Sequence, residues 1–255
     1  MSFAEVREYR PGDDIRDIDW NVTARAHRAH VKVYEEEREL TMMLLVDVSP
    51  SRMFGSEELT KKSLITEIAA TLAFSAATNN DKVGCILFSD RVEKFIPPKK
   101  GRSHILMIIR ELVSFKPSGQ GTNLSEPLRY LVGVNKKRTT TFLLSDLINS
   151  QSDMSKLDDA IKIASSKHDI MAIHVYDKRD RELPDVGIIE VEDAESGERM
   201  WLDTSSRRVR EFWCDSYDSR DRAMSQLLSH NRIDKAEVAT DGDYVVELLK
   251  MFKKR

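Results

Sequence analysis

The stretch Met42-Met43-Leu44-Leu45-Val46-Asp47-Val48-Ser49-Pro50-Ser51 joins an apolar run to a loop that carries one carboxylate and two hydroxyls. Five consecutive apolar residues between polar ones are typical of a short strand that is buried on both faces of a parallel sheet. The three polar side chains therefore leave the carboxyl end of that strand together. Ligands of open α/β sheets bind at this end, and clustered oxygen atoms suit a hard cation such as Mg²⁺.

Strands and helices alternate along most of the chain. Core strands are predicted at 41–47, 81–88, 139–144 and 170–176, with a short edge strand at 92–96 that Pro97-Pro98 ends and a hairpin of 188–192 against 199–202. Helices are predicted at 59–79, from a cap at Ser103 to Leu112, and at 124–134, 153–167, 205–230 and 243–254. This alternation predicts an α/β fold with a doubly wound, mostly parallel sheet and helices on both faces.

Residues 1–40 have a different character from the rest. They are densely charged and irregular, with a turn at Pro11–Asp14 and a short alternating stretch at 30–34. We expect them to form an N-terminal arm that packs on the domain through salt bridges and through the apolar side chains of Ile18 and Trp20. Residues 41–255 are expected to form the main domain with a C-terminal helical extension.

The composition limits the classes of binding partner and the cellular compartments to be expected. The formal net charge of −3 gives no indication of nucleic-acid binding. No apolar stretch reaches the roughly 18 residues that a membrane span needs. The two cysteines, Cys85 and Cys214, lie far apart. This cysteine usage is consistent with a reducing compartment, and a cytoplasmic location is the expectation.

Oxygen donors occur in three separate segments. Asp47, Ser49 and Ser51 follow the first core strand, Thr122 lies in a glycine-rich loop, and Asp146 ends another strand. If the strands that end at Asp47 and Asp146 flank the crevice where the sheet reverses its winding direction, their carboxylates converge and repel each other. A divalent cation removes that conflict. Mg²⁺ takes about six oxygens, so the five protein groups leave a position open for a carboxylate of a partner.

The same residues carry a resemblance to known families. Asp-x-Ser-x-Ser, a later Gly-Thr step and a later strand-end Asp resemble the metal-ion-dependent adhesion site of von Willebrand factor type A domains. Segments elsewhere resemble the bacterial domain-of-unknown-function family 58: Arg7–Trp20, Thr23–Arg25, Glu36–Glu39, Val83–Ser89, Pro97-Pro98 and Leu183–Gly187. The resemblance implies a von Willebrand A-like fold, frequent association with MoxR-type AAA+ ATPases and no known catalytic activity.

The preferred hypothesis is a non-catalytic, metal-dependent protein-interaction module. Its ion would be Mg²⁺, or Mn²⁺ or Ca²⁺, and an acidic side chain of a MoxR-type ATPase or of its client would complete the coordination during assembly or maturation of other proteins. One alternative is a Mg²⁺-dependent, phosphatase-like hydrolase. It is disfavoured because Ser49 stands where haloacid dehalogenase-type phosphatases carry their general acid. The other alternative is a structural domain with a vestigial site.

Overall fold

The computed structural model describes residues 2–35, 39–50, 60–119, 121–148, 154–192 and 199–254. The chain divides into two compact units, Met1–Glu39 and Leu40–Arg255.

The first unit is more regular than the sequence analysis predicts. Strand β1 (Ser2–Glu8) pairs antiparallel with β2 (His30–Glu35), and helix α1 (Trp20–Ala26) begins after Asp19. The Asp19 side chain accepts hydrogen bonds from two backbone N–H groups of the first helical turn, which is the usual way to cap a helix. Ion pairs such as Arg7–Asp13 lie within the unit. Trp20 is exposed, and the packing of this segment on the main domain stays a prediction.

The second unit holds the sheet that the apolar runs predict. Its first elements are β3 (Thr41–Asp47), α2 (Lys61–Thr78), β4 (Lys82–Phe88), β5 (Val92–Lys99), α3 (Arg102–Ser114), α4 (Ser125–Val134) and β6 (Thr140–Ser145). There follow α5 (Met154–Lys167), β7 (Asp169–Tyr176), α6 (Lys178–Arg181), β8 (Ile188–Glu192), β9 (Arg199–Asp203), α7 (Arg207–His230), β10 (Asp234–Ala239) and α8 (Tyr244–Lys253). Strands β8 and β9 form the expected antiparallel hairpin.

The order of the strands creates one reversal of winding. Over the described residues the main sheet reads β10-β7-β6-β3-β4-β5, and only β5 is antiparallel to its neighbour. From β3 the chain builds outward through β4 to β5, and it then returns to the other side of β3 with β6, β7 and β10. The topological switch point therefore lies between β3 and β6. The predicted α/β fold class with a doubly wound, mostly parallel sheet is confirmed.

Apolar layers cover both faces of this sheet. Because side chains alternate along a strand, Leu44 and Val46 enter one layer while Met43 and Leu45 enter the other. Helices α2, α3 and α8 close the first face, and α4, α5 and α7 close the second. Each fully buried Leu or Ile contributes about 1.5–3 kcal/mol, so the central strands are the most strongly stabilised part of the domain.

The structure corrects two local predictions and adds strand β10. Strand β5 continues through Pro97-Pro98, because β5 lies at the edge of the sheet, where a missing backbone N–H is tolerated. Helix α3 begins after Gly101, whose φ of 103° suits glycine, and Ser103 does not cap it. Strand β10 was not predicted, since its charged residues interrupt the apolar pattern.

We expect Gly84→Ala to destabilise the domain. An added Cβ would lie 2.6 Å from Met43 Sδ, 3.0 Å from the backbone nitrogen of Pro98 and 3.1 Å from the carbonyl oxygen of Ile96. Backbone atoms cannot move aside cheaply, so the expected loss is about 1–3 kcal/mol in urea unfolding. Gly133→Ala in α4 is the matched control, because its Cβ meets nothing within 4 Å. A Gly84 variant as stable as the Gly133 variant would contradict the close packing of neighbouring atoms against Gly84.

Candidate metal site at the switch point of the sheet

Two buried carboxylates lie side by side at the switch point. Asp47 ends β3 and Asp146 directly follows β6, and these parallel strands are hydrogen-bonded neighbours up to the pair Val46–Leu144. Asp47 is 1% exposed and Asp146 is 6% exposed. The condition that the sequence analysis placed on the topology is therefore met, because the strands that end at Asp47 and Asp146 flank the switch point.

The Asp47 carboxylate is held by donors from both neighbouring segments. The backbone N–H of Ser49 donates to Oδ1 at 2.8 Å, and the Ser145 hydroxyl donates to Oδ2 at 2.6 Å. Burial and, after it, the negative charge of Asp146 together raise the pKa of Asp47 to about 6, against the lowering effect of these hydrogen bonds. The shift shows that the site favours neutralisation of this carboxylate by a proton or by a cation.

Asp146 has a cation of the protein beside it. Its Oδ1 accepts the backbone N–H of Ile148 at 3.1 Å, and its Oδ2 lies 3.3 Å from Lys61 Nζ. The Lys61 side chain is 2% exposed and also donates to Asp180 Oδ2 at 3.1 Å. Burial acts to lower the pKa of Lys61, but the charges of Asp146 and Asp180 outweigh it and raise the pKa. Lys61 therefore stays charged and joins α2 to the end of β6 and to α6.

The predicted hydroxyl donors lie at the same carboxyl end of the sheet. Ser49 and Thr122 are buried, with exposed fractions of 1% and 0%. The loop that carries Thr122 is attached to the end of β4, the other neighbour of β3, because the Asn123 N–H donates to the Ser89 carbonyl at 2.9 Å. Ser51 lies outside the described residues. The structure brings the described donors to one end of the sheet, and metal binding by them stays a prediction.

Sequence reasoning missed two residues that hold the site together. Lys61 and Ser145 contact the two carboxylates directly, but neither belongs to the adhesion-site pattern. Ser145 could have been found, since it precedes Asp146 at the same strand end. Lys61 lies 85 residues from Asp146 along the chain, and no local pattern reports a pairing over that separation.

The family model for proteins of unknown function DUF58 matches residues 5–223. The chain belongs to the DUF58 family. An uncharacterized protein of Mycobacterium tuberculosis is 33% identical over 195 residues, which cover 76% of this DUF58 chain and 60% of that protein. The uncharacterized protein YeaD of Bacillus subtilis is 32% identical over 110 residues, or 43% of this chain and 25% of YeaD. The chain thus spans about 60% of the length of its mycobacterial relative.

Solved structures share the fold of this DUF58 chain. The conserved hypothetical protein BatB from Bacteroides thetaiotaomicron superposes with a TM-score of 0.53 at 16% identity, covering 84% of this chain and 99% of BatB. An aerotolerance-related membrane protein from Bacteroides fragilis gives a TM-score of 0.55 at 16% identity, covering 85% and 100%. Likeness at this identity reports the fold and carries no function across.

The comparison corrects one expectation from the sequence. The expected cytoplasmic location is wrong as an inference, because a protein with this fold is described as a membrane protein. Among the described residues, none of the helices combines the length and the apolar character that crossing a bilayer requires.

The raised pKa of Asp47 makes the stability of the metal-free protein depend on pH. An unfolded Asp has a pKa near 3.9, and the folded value is about 6. Between these values the folded state keeps a proton that the unfolded state has released, so stability falls as pH rises. In chelator we expect a loss of about 1 kcal/mol between about pH 5 and pH 7, measured by urea unfolding. Asp47→Asn should lack this component, and an unchanged pH dependence in that variant would contradict the assignment.

Lys61→Met should destabilise the metal-free domain strongly. It leaves Asp146 and Asp180 without their shared cation in a buried environment, and breaking such a pair costs about 3–5 kcal/mol. Exposed Lys116→Met is the control and should change the unfolding free energy by less than about 0.5 kcal/mol. Equal stability of the two variants in chelator would show that Lys61 does not neutralise the site.

Proposed function

We propose that this DUF58 chain is a metal-dependent protein-interaction module. Asp47, Ser49, Ser51, Thr122 and Asp146 would hold a divalent cation, Mg²⁺ in the first instance or Mn²⁺ or Ca²⁺, at the switch point of the sheet. The observation that carries the proposal is the pair of carboxylates from neighbouring strands, whose burial and mutual repulsion raise the pKa of Asp47. A divalent cation between them converts this repulsion into attraction.

The chemistry of the donors suits a hard cation. Carboxylate and hydroxyl oxygens are the ligands that Mg²⁺ and Ca²⁺ prefer, and the described donors contain no sulfur or imidazole. Lys61 shares the charge of Asp146, so that carboxylate neutralises a bound ion only in part. The ion would therefore keep an affinity for one more carboxylate. An Asp or Glu side chain of a partner supplies that group.

The partner follows from the family resemblance. A MoxR-type AAA+ ATPase, or a client protein that is passed to it, would present the acidic side chain, and the module would act in chaperone-like assembly or maturation of other proteins. The exposed fraction of the metal donors is small, so the partner must bring its carboxylate into the crevice. Such a geometry favours an acidic residue at the tip of a loop.

The hydrolase alternative has less support. A phosphatase of the haloacid dehalogenase type needs a carboxylic acid two residues after its first Asp, and this chain has Ser49 there, whose hydroxyl does not protonate a leaving group near neutral pH. Both oxygens of Asp47 also accept hydrogen bonds from neighbouring groups, which lowers their readiness to attack a phosphorus atom. We propose no catalytic residue.

Ser49→Ala should remove metal-dependent binding. We expect calorimetric titration with Mg²⁺ to show one site per chain and the variant to bind at least about tenfold more weakly, because a ligand oxygen is lost. In a binding assay with the purified MoxR-type ATPase of the same organism, chelator and Ser49→Ala should each abolish the complex. Ser166→Ala, which removes an exposed hydroxyl on α5, is the matched control and should bind like the wild type.

Two results would reject the module. Binding of the ATPase that is unchanged by chelator and by Ser49→Ala would separate the interaction from the metal. Turnover of an aryl phosphate with Mg²⁺ that disappears in Asp47→Asn would favour the hydrolase instead.

A further inference from the structure

A second group of metal-ligating side chains lies between the outer strands of the sheet and helix α7. His174 on β7 and Glu237 on β10 are paired directly in the parallel register, so their side chains share one face of the sheet. Asp221 reaches this face from α7. One ligand atom from each of these residues lies within 4.8 Å of the other two. We name these three residues the His174 cluster.

The imidazole in this cluster has an unsatisfied nitrogen. The His174 side chain is 6% exposed, and its Nδ1 lies 3.5 Å from Asp221 Oδ1. This nitrogen makes no hydrogen bond to any of the residues that the structure describes. A buried polar atom without a partner costs free energy, and a bound ligand removes that cost. The orientation of the ring toward a carboxylate makes a cation the fitting ligand.

We propose that the His174 cluster binds a transition-metal ion of the zinc class. One imidazole with two carboxylates is a donor set for Zn²⁺, Mn²⁺ or Fe²⁺, whereas the all-oxygen set at the switch point suits Mg²⁺. The two sites thus differ in ligand chemistry, and this proposal does not depend on the proposed interaction function.

Lys235 balances the cluster in the metal-free protein. Its Nζ lies 2.8 Å from Asp221 Oδ1 and 2.8 Å from Glu237 Oε1, and it donates to Ser225 Oγ at 2.6 Å. An ammonium that bridges two carboxylates marks a position where the field of the protein favours a cation. A divalent ion displaces it, and the long flexible stem of Lys235 allows the charged head to swing away. Lys235 therefore competes with the metal and lowers its affinity.

The surroundings leave room for an ion and its water ligands. A cavity of about 330 Å³ and another of about 440 Å³ are both bordered by His174, Asp221 and Tyr217. Burial lowers the pKa of His174, and the charge of Lys235 lowers it further, against the raising effect of the nearby carboxylates. These two effects favour the neutral imidazole, which is the form that coordinates a metal.

The test uses Co²⁺ as the probe in the full chain with Asp47→Asn, which silences the site at the switch point. We expect one Co²⁺ per chain, with visible absorption bands that Zn²⁺ abolishes by competition. His174→Gln and Glu237→Gln should each weaken binding at least about tenfold. His168→Gln is the matched control, since that buried histidine hydrogen-bonds with Thr139 and lies outside the cluster.

Lys235→Met provides a second, opposite readout. Removing the competing ammonium should strengthen Co²⁺ binding at least about tenfold, a gain that a misfolded variant does not produce. No stoichiometric Co²⁺ binding in the Asp47→Asn chain would overturn the proposal. Binding that His174→Gln and Glu237→Gln leave unchanged, or that Lys235→Met weakens, would overturn it as well.

Discussion

Burial of two like charges side by side is the constraint around which this domain is organised. Asp47 and Asp146 come to the same end of the sheet because β3 and β6 are neighbours and parallel on the two sides of the switch point. Two carboxylates in an apolar surrounding raise each other's free energy. Ser49 and Ser145 respond to that condition by donating hydrogen bonds, and Lys61 responds by supplying a positive charge.

The two carboxylates differ in the groups that stabilise them. Asp146 has the ammonium of Lys61 at 3.3 Å, whereas the described contacts of Asp47 are hydrogen bonds from Ser49 and Ser145. Among the described residues, the protein thus places a positive charge beside one member of the pair and hydrogen-bond donors beside the other. Lys61 also contacts Asp180 on α6, and the Asp180 carbonyl accepts the indole N–H of Trp213 at 2.9 Å. Charge at the switch point is therefore connected to helix α7 through direct contacts.

Much of the fold is predictable from the sequence because the central strands are buried on both faces. Apolar runs such as Met42–Val46 and Thr141–Leu144 have no alternative to the core, and the alternating helices then require a parallel sheet. The edge strand β10 could not be predicted in this way. It is short, and Lys235 and Glu237 alternate with Ala236 and Val238 along it. The hairpin of β1 and β2 in the first unit was not predicted for a related reason, because charged residues interrupt the apolar pattern of its strands.

The candidate site divides in the same way. Asp47 and Asp146 could be identified because the end of a buried strand is recognisable from the sequence alone. Lys61, Asp221 and Glu237 could not be identified, since their roles arise only when distant segments meet. The edges of the sheet add one more consequence. Pro97-Pro98 removes backbone donors from β5, and charged side chains occupy β10, so both borders resist the addition of a foreign strand and the domain is protected against edge-to-edge aggregation.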